Sequence, residues 1–269
     1  MAKQEMKTDV AVQNGGAITD TRPDFLKAGK RGQENVQRED LVVPRLELVQ
    51  ALSPARKKGD PNYIEGAEEG MLYNSVTREL YGDSVKVVPC YFIKEWLIWK
   101  DRKKGGGFRG AFGTEALARA EIMNLKDSDG KPENPEDYEA LDTAQMFCLL
   151  ITPAGKTQGI VISMSRSKMK IARNWNSLIN LSDDDSFAKA YRVAAIADKN
   201  KNGDDFFNLK VTPVGYVNEE IYKAGEAFYE LLKAGGATAD RSGFTEDDSH
   251  AVHGSSGDGS RPKKDDGEF

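Results

Sequence analysis

Histidine is nearly absent from this chain of 269 residues. The two histidines, His250 and His253, both lie near the C-terminus. The rest of the sequence therefore cannot form the Ser–His or Cys–His pairs that activate a nucleophile, or the usual histidine-containing zinc sites. Catalysis by carboxylates or lysine stays open, but the pattern favours a protein that is not an enzyme and that uses no cofactor or metal.

Cysteines and long apolar runs are scarce as well. Cys90 and Cys148, the two cysteines, lie in apolar, strand-like runs and are too few for a thiolate metal cage, so we expect buried free thiols in a reducing compartment. No apolar run approaches the roughly 18 residues that a transmembrane helix needs. Met1–Lys7 has no apolar stretch of the kind found in signal peptides. The sequence thus predicts a protein that stays inside the cell that makes it and has no membrane partner.

The net charge of −5 is unevenly distributed along the chain. Between Ala237 and Phe269 there are eight acidic and four basic residues. The whole chain has 43 acidic and 38 basic residues, so the remainder, with 35 acidic and 34 basic residues, is close to neutral. Residues 1–37 are polar and show no periodicity. We therefore predict a flexible N-terminal arm over residues 1–37, a folded domain over 38–235 and a disordered acidic tail over 236–269.

The predicted domain is rich in strand patterns. Val85–Trp99 is a long run of β-branched and aromatic residues, and Pro89 within it indicates an edge strand or a bulge. Hairpins are predicted to join Gln145–Thr152 to Gly159–Met164 and Tyr191–Ala197 to Phe206–Val214, and helices to cover Thr114–Leu125, Ser165–Leu178 and Glu219–Lys233. The expected class is α+β, mainly β with inserted helices, and the hairpins favour a small antiparallel barrel of OB type.

Basic residues stand beside aromatic residues in three segments, 94–109, 166–175 and 45–63. Single-stranded nucleic acid offers phosphates that attract Lys and Arg, and unpaired bases on which aromatic rings stack. The candidate stacking residues are Tyr91, Trp96 and Phe108. The candidate phosphate contacts are Lys94, Lys100, Arg102, Lys103, Lys104, Arg109, Arg166, Lys170 and Arg173. The alternative interpretation is that the tryptophans belong to the core and the lysines are solvated.

Periodicity predicts which of these side chains share a surface. On a strand, Lys94, Trp96 and Lys100 lie on one face together with Ile98, and Trp99 points the other way. On the helix after Ser165, Arg166, Lys170 and Arg173 share one flank. In the helix after Thr114, we expect Ala116, Leu117 and Ala120 to face inward.

Two short motifs resemble ligand sites but lack the surroundings that such sites need. Gly105–Gly110 matches the dinucleotide pattern G-x-G-x-x-G, yet it follows a basic segment and no βαβ unit surrounds it. Asp198–Gly203 opens like an EF-hand loop, but position 12 is Leu209, where calcium needs a bidentate glutamate. A basic loop and a hairpin turn are the better interpretations.

The chain resembles the single-stranded DNA-binding proteins of tailed bacteriophages. The resemblance covers about residues 38–235 and is carried by 41–54, by 66–71, by Val88-Pro89 and by Trp99-Lys100, with an acidic, Phe-ended terminus. It implies an OB barrel, binding without sequence preference and action in the cytoplasm of the bacterial host cell. It also implies a terminus that recruits replication or recombination enzymes and competes with DNA, a role that falls here on Asp265, Asp266, Glu268 and Phe269. Lys263-Lys264 departs from the acidic pattern.

Three other functions stay open at this stage. The protein could regulate transcription by contacting RNA polymerase through its tail. It could be a strand-annealing recombination protein, because coating and annealing use the same surface. A nuclease using carboxylates and magnesium is a third candidate, although no metal triad is visible in the spacing of the acids.

Overall fold

The structure is a computed structural model that describes Gly32, Asn35, residues 42–200 and 203–235, and the backbone of 238–239, without the side chain of Arg102. The predicted arm and tail lie almost entirely outside these residues. The chain divides into two units, Met1–Gln37 and Arg38–Phe269, and the described strands and helices belong to the second. The strands are β1 (Val42–Val43), β2 (Leu46–Leu48), β3 (Leu72–Asn74), β4 (Leu80–Gly82), β5 (Ser84–Lys100), β6 (Phe108–Phe112), β7 (Tyr138–Ile151), β8 (Thr157–Ser165), β9 (Lys189–Lys199), β10 (Asp205–Tyr216) and β11 (Thr238–Ala239). The helices are α1 (Glu115–Asn124), α2 (Met169–Asn180) and α3 (Glu219–Lys233).

A six-stranded antiparallel sheet forms most of the structure. Its order is β10-β9-β5-β7-β8, and β6 also pairs with β5. The predicted long strand is confirmed as β5, which pairs with β7 over almost its whole length, with β9 at its start and with β6 at its end. The register of β5 against β7 shifts between Pro89 and Tyr91, so the bulge predicted from Pro89 is present. A proline that lacks an N–H group is tolerated in this central strand because the bulge interrupts the ladder there.

A second, three-stranded sheet consists of β2, β3 and β4 and packs against the first. One end meets β8, where the Val161 N–H group donates to the Pro44 carbonyl at 2.8 Å. Near the other end, the Gln50 side chain hydrogen-bonds to the backbone of β10. The Gln50 amide donates to the Phe207 carbonyl at 2.7 Å and accepts from the Phe207 N–H group at 2.9 Å, as a neighbouring strand would.

The largest cluster of buried side chains lies between the two sheets. The small sheet, the large sheet and α2 all contribute to it, and its members include Leu46, Leu72, Met146, Ile162 and Trp175. Trp175 is fully buried, in agreement with the alternative interpretation that tryptophans belong to the core. The strand pairing confirms the α+β class with mainly antiparallel strands. It leaves the large and the small sheet open, so the predicted OB-type barrel is not confirmed, and β1 pairs separately with β11 in a parallel ladder.

The Gln50 side chain is expected to stabilise the junction between the sheets. Replacing Gln50 with Met keeps a similar shape but removes both hydrogen bonds to Phe207, at about 0.5–1.5 kcal/mol each. We expect the free energy of unfolding, measured in urea, to fall by about 1–3 kcal/mol. An unchanged unfolding midpoint for Gln50→Met would mean that the junction does not depend on this amide.

The three predicted helices are present. Thr114 caps α1 by accepting from the Leu117 N–H group, and Asn218 caps α3 by accepting from the Ile221 N–H group. The inward face predicted for α1 is wrong, because Ala118 and Ile122 are its buried residues and Leu117 is 58% exposed. None of the helices in the described part of the chain is long and apolar enough to cross a bilayer.

Helix α3 covers part of the outer face of the large sheet. Phe228 and Leu232 pack over Phe147 and Val161. Gly225 permits this approach, since a Cβ atom there would lie 2.7 Å from the Cβ atom of Phe187. The outer face is thus buried where α3 lies on it.

Both cysteines are buried free thiols, as the sequence predicts. Burial raises the pKa of Cys90 to about 12 and also raises the pKa of Cys148. Both groups therefore stay protonated at neutral pH, which suits a role in packing.

Candidate nucleic-acid interface

The β5–β6 hairpin and the start of β7 bring many of the predicted binding residues to one end of the large sheet. We call this region, residues 94–112 with 133–142 and Arg166, the hairpin end. Antiparallel pairing sets its register: Trp96 lies opposite both Phe112 and Asp142, and Trp99 lies opposite Phe108. Cross-strand partners lie on the same face of a sheet, so this register decides which charges and rings can meet.

The turn of this hairpin has a defined, hydrogen-bonded shape. The Asp101 carboxylate accepts from the Lys103 N–H group at 2.8 Å, and the Asp101 carbonyl accepts from the Lys104 and Gly106 N–H groups. Gly105, Gly106 and Gly107 have φ angles of 102°, 64° and 106°, which side-chain-bearing residues rarely adopt. The glycines predicted to form a basic loop therefore shape a turn on which Lys103 and Lys104 are exposed.

The side chain of Lys100 is already engaged at the hairpin end. Its ammonium forms an ion pair with Glu133, which also accepts a hydrogen bond from the Tyr138 hydroxyl, and lies 5.4 Å from the centre of the Tyr138 ring. The hydrogen bond to Glu133 raises the pKa of Lys100, and the same bond, with that from Tyr138, lowers the pKa of Glu133. Lys100 must therefore exchange a carboxylate for a phosphate before it can bind nucleic acid.

Three other predicted phosphate contacts also have acidic neighbours. Lys94 lies 3.0 Å from Asp142, Lys104 lies 3.9 Å from Asp137, and Arg166 pairs with Glu139. Sequence reasoning missed these acids, because residues 127–142 read as a polar insertion. Only the pairing of β7 with β5 reveals that the insertion returns carboxylates to the basic strand.

Four of the predicted phosphate contacts carry no such partner among the described residues. They are Lys103, Arg109, Lys170 and Arg173, and all four side chains are exposed. Arg109 is near enough to Glu133 to contribute to lowering the pKa of that carboxyl. Lys170 and Arg173 lie on α2, but Arg166 precedes that helix in a short 3-10 turn, so the helical flank predicted for the three residues does not include Arg166. The partner of Arg166, Glu139, lies opposite Trp99. Arg166 and Glu139 therefore connect the second predicted cluster to the first.

The aromatic residues differ in their surroundings. Trp99 and Phe108 form a tilted pair with ring centres 5.6 Å apart, and both are half-buried. Trp96 packs against the cluster of Ile98 and α1, with the Lys94 ammonium 6.0 Å from the centre of its ring. The face predicted to carry Lys94, Trp96, Ile98 and Lys100 is therefore covered by α1 at Ile98.

Tyr91 lies away from the hairpin end. Its ring contacts Phe147 and Tyr229, with centres 6.4 Å and 6.0 Å away, so it packs between the large sheet and α3. In the segment 45–63, Arg45 is buried and pairs with Glu47, and Arg56 pairs with Glu69. Lys57 and Lys58 of the same segment are exposed.

The two short motifs occupy hairpins. Gly105–Gly110 spans the β5–β6 turn and the start of β6. Asp198 and Lys199 end β9, and Gly203 lies shortly before β10. The Asp198 carboxylate accepts from the Asn208 side chain at 2.9 Å. Within residues 42–200 and 203–235, no group of three or more His, Cys, Asp or Glu side chains is placed to hold a metal ion.

Comparison with known proteins places the chain in a phage family. The family described as Pam3 phage gp34-like protein matches residues 13–238, which includes every strand and helix described above except the end of β11. No curated protein and no solved structure matches the chain. The match extends over well more than half of the sequence, so this chain belongs to the Pam3 phage gp34-like protein family.

Proposed function

We propose that this phage protein binds single-stranded DNA without sequence preference, coating and protecting it during replication and recombination in the host cell. It acts without a catalytic site or cofactor. The observation that carries the proposal is the hairpin end, where one β-hairpin carries the exposed Lys103 and Arg109 together with the Trp99–Phe108 aromatic pair. Cations attract phosphates and aromatic faces stack on unpaired bases, and both are required to hold a single strand independently of its sequence.

The architecture is consistent with this proposal. Two antiparallel sheets enclose one core, and the Gln50 side chain joins the small sheet to β10. OB-type barrels use such strands and the loops between them to bind oligonucleotides. In the proposed arrangement, the β5–β6 hairpin is the loop that contacts the strand.

Removing an acid at the hairpin end should raise the affinity for single-stranded DNA, which provides a test of the proposal. Replacing Glu133 with Gln removes the charge that pairs with Lys100 and leaves that ammonium available to a phosphate. One additional contact makes the salt slope steeper by about 0.7 and, at 0.1 M salt, raises the affinity by about fivefold. Glu136→Gln changes the net charge equally at an exposed position in the same loop and should leave binding nearly unchanged. Equal gains from both variants would show that only net charge matters.

The tail supplies a further prediction, which rests on the resemblance to phage single-strand binders and lies outside the described residues. Removing residues 265–269 deletes Asp265, Asp266, Glu268 and Phe269. We expect tighter binding to single-stranded DNA, because an acidic competitor is lost, and loss of binding to replication or recombination partners. Affinity measurements on full-length and truncated protein test the first effect. An unchanged affinity would contradict the competition between tail and DNA.

Fluorescence anisotropy of a labelled oligonucleotide tests the proposed function. We expect saturable binding to a poly-pyrimidine single strand, weakening steeply with salt, and much weaker binding to a duplex of the same length. Equal binding to the single strand and the duplex would contradict the role of stacking. Absence of binding to the single strand at low salt would overturn the proposed function.

A further inference from the structure

A second basic surface lies on the outer face of the large sheet, at the opposite end of β5 from the hairpin end. Lys86 on β5 lies directly opposite Arg192 on β9. Lys210 on β10 lies further along, opposite Ala194, and is thus a diagonal neighbour of Arg192. We call Lys86, Arg192 and Lys210 the outer basic row.

All three side chains point away from the core. Lys86 alternates with buried Val85 and Val87, and Arg192 alternates with buried Tyr191 and Val193. Lys210 follows buried Leu209. Each of the three residues is exposed, and none forms an ion pair with a carboxylate of the described residues. Lys156, also exposed, lies in the turn that connects Ile151, the partner of Lys86 on β7, to Thr157.

This arrangement is unfavourable for the isolated protein. Like charges directly opposite each other on neighbouring antiparallel strands repel, and a cross-strand acid would remove the repulsion. Four cations of the hairpin end have an acidic partner, whereas the three cations of the outer basic row have none among the described residues. A polyanion laid across the strands would supply the missing negative charge along the diagonal.

We propose that the outer basic row is a second binding surface for the phosphate backbone of single-stranded nucleic acid. This inference rests on the proposed function and extends it, because it adds a surface that binds phosphates through three cations. Its occupant is a phosphodiester chain, since three cations on three adjacent strands match a line of regularly spaced anions.

The test uses full-length protein with Lys86→Gln, Arg192→Gln and Lys210→Gln combined, and a labelled poly-pyrimidine oligonucleotide across a range of salt concentrations. Each lost phosphate contact reduces the salt slope by about 0.7, so we expect a slope smaller by about 2. The matched control is Lys223→Gln, Arg119→Gln and Lys199→Gln, three exposed cations that each pair with an acid. The control should alter the slope by much less.

Thermal unfolding separates binding from folding. The triple variant should be at least as thermally stable as the wild type, because the repulsion between Lys86 and Arg192 is removed. If the wild type binds the oligonucleotide and the triple variant shows the same salt slope, the second surface is overturned and the proposed function stands. Absence of wild-type binding would overturn both. A slope reduced as much by the control variant would also overturn the assignment to the outer basic row.

Discussion

Replacing Lys103 and Arg109 with glutamate is expected to weaken binding to single-stranded DNA by at least about 25-fold at 0.1 M salt. Both side chains are exposed at the hairpin end and have no ion-pair partner among the described residues. Each phosphate contact contributes about 0.7 to the salt slope, so losing two contacts reduces the slope by about 1.4, and charge reversal adds repulsion. Anisotropy titrations at several salt concentrations measure both quantities.

The matched control for this double variant lies in the connection between two strands of the small sheet. Lys57 and Lys58 are exposed between β2 and β3, and their replacement with glutamate changes the net charge by the same amount. We expect a much smaller loss of affinity for Lys57→Glu/Lys58→Glu. Similar losses in the two double variants would mean that binding follows the overall charge of the protein and would contradict a localised interface.

Truncating the aromatic rings at the hairpin end is expected to give the second large effect. Stacking of a base on an aromatic side chain contributes about 1–3 kcal/mol, so Phe108→Ala and Trp96→Ala should each weaken binding by roughly 5- to 150-fold. The loss should be nearly independent of salt, because no phosphate contact is removed. Anisotropy titrations at low and high salt separate this loss from an electrostatic one.

Tyr91 provides the internal comparison for the aromatic residues. It was predicted to stack on bases, but its ring packs between Phe147 and Tyr229. Tyr91→Phe keeps that packing and should leave the affinity for DNA unchanged. A loss of binding in Tyr91→Phe equal to that in Phe108→Ala would indicate that DNA binding extends to the α3 side of the sheet.

Local signals explain why several elements could be predicted. The β-branched and aromatic run of Val85–Trp99 became β5, with its bulge at Pro89. The two ends of α3 were also predictable from single residues. Asn218 caps its first turn, and Gly235, with a φ angle of 71°, lies just after its last turn. Each of these features depends on residues that are close together in the sequence.

Features that depend on distant residues were missed or misassigned. The acids Glu133 and Asp142 meet Lys100 and Lys94 only because β7 pairs antiparallel to β5 in one register. The outer basic row likewise combines three strands. The inward face of α1 was misassigned because the helix buries only a narrow strip, centred on Ala118 and Ile122, and small exposed residues beside it resemble a packed face.

Tryptophan fluorescence during titration with a poly-pyrimidine oligonucleotide tests the central claim most directly. Trp96 and Trp99 are half-buried at the hairpin end, whereas Trp175 is fully buried in the core. We expect strong quenching of the wild type by the single strand, weak quenching by a matched duplex, and almost none in the variant Trp96→Phe/Trp99→Phe, which retains only Trp175. Quenching that persists in this variant, or no quenching of the wild type, would contradict binding of single-stranded DNA at the hairpin end.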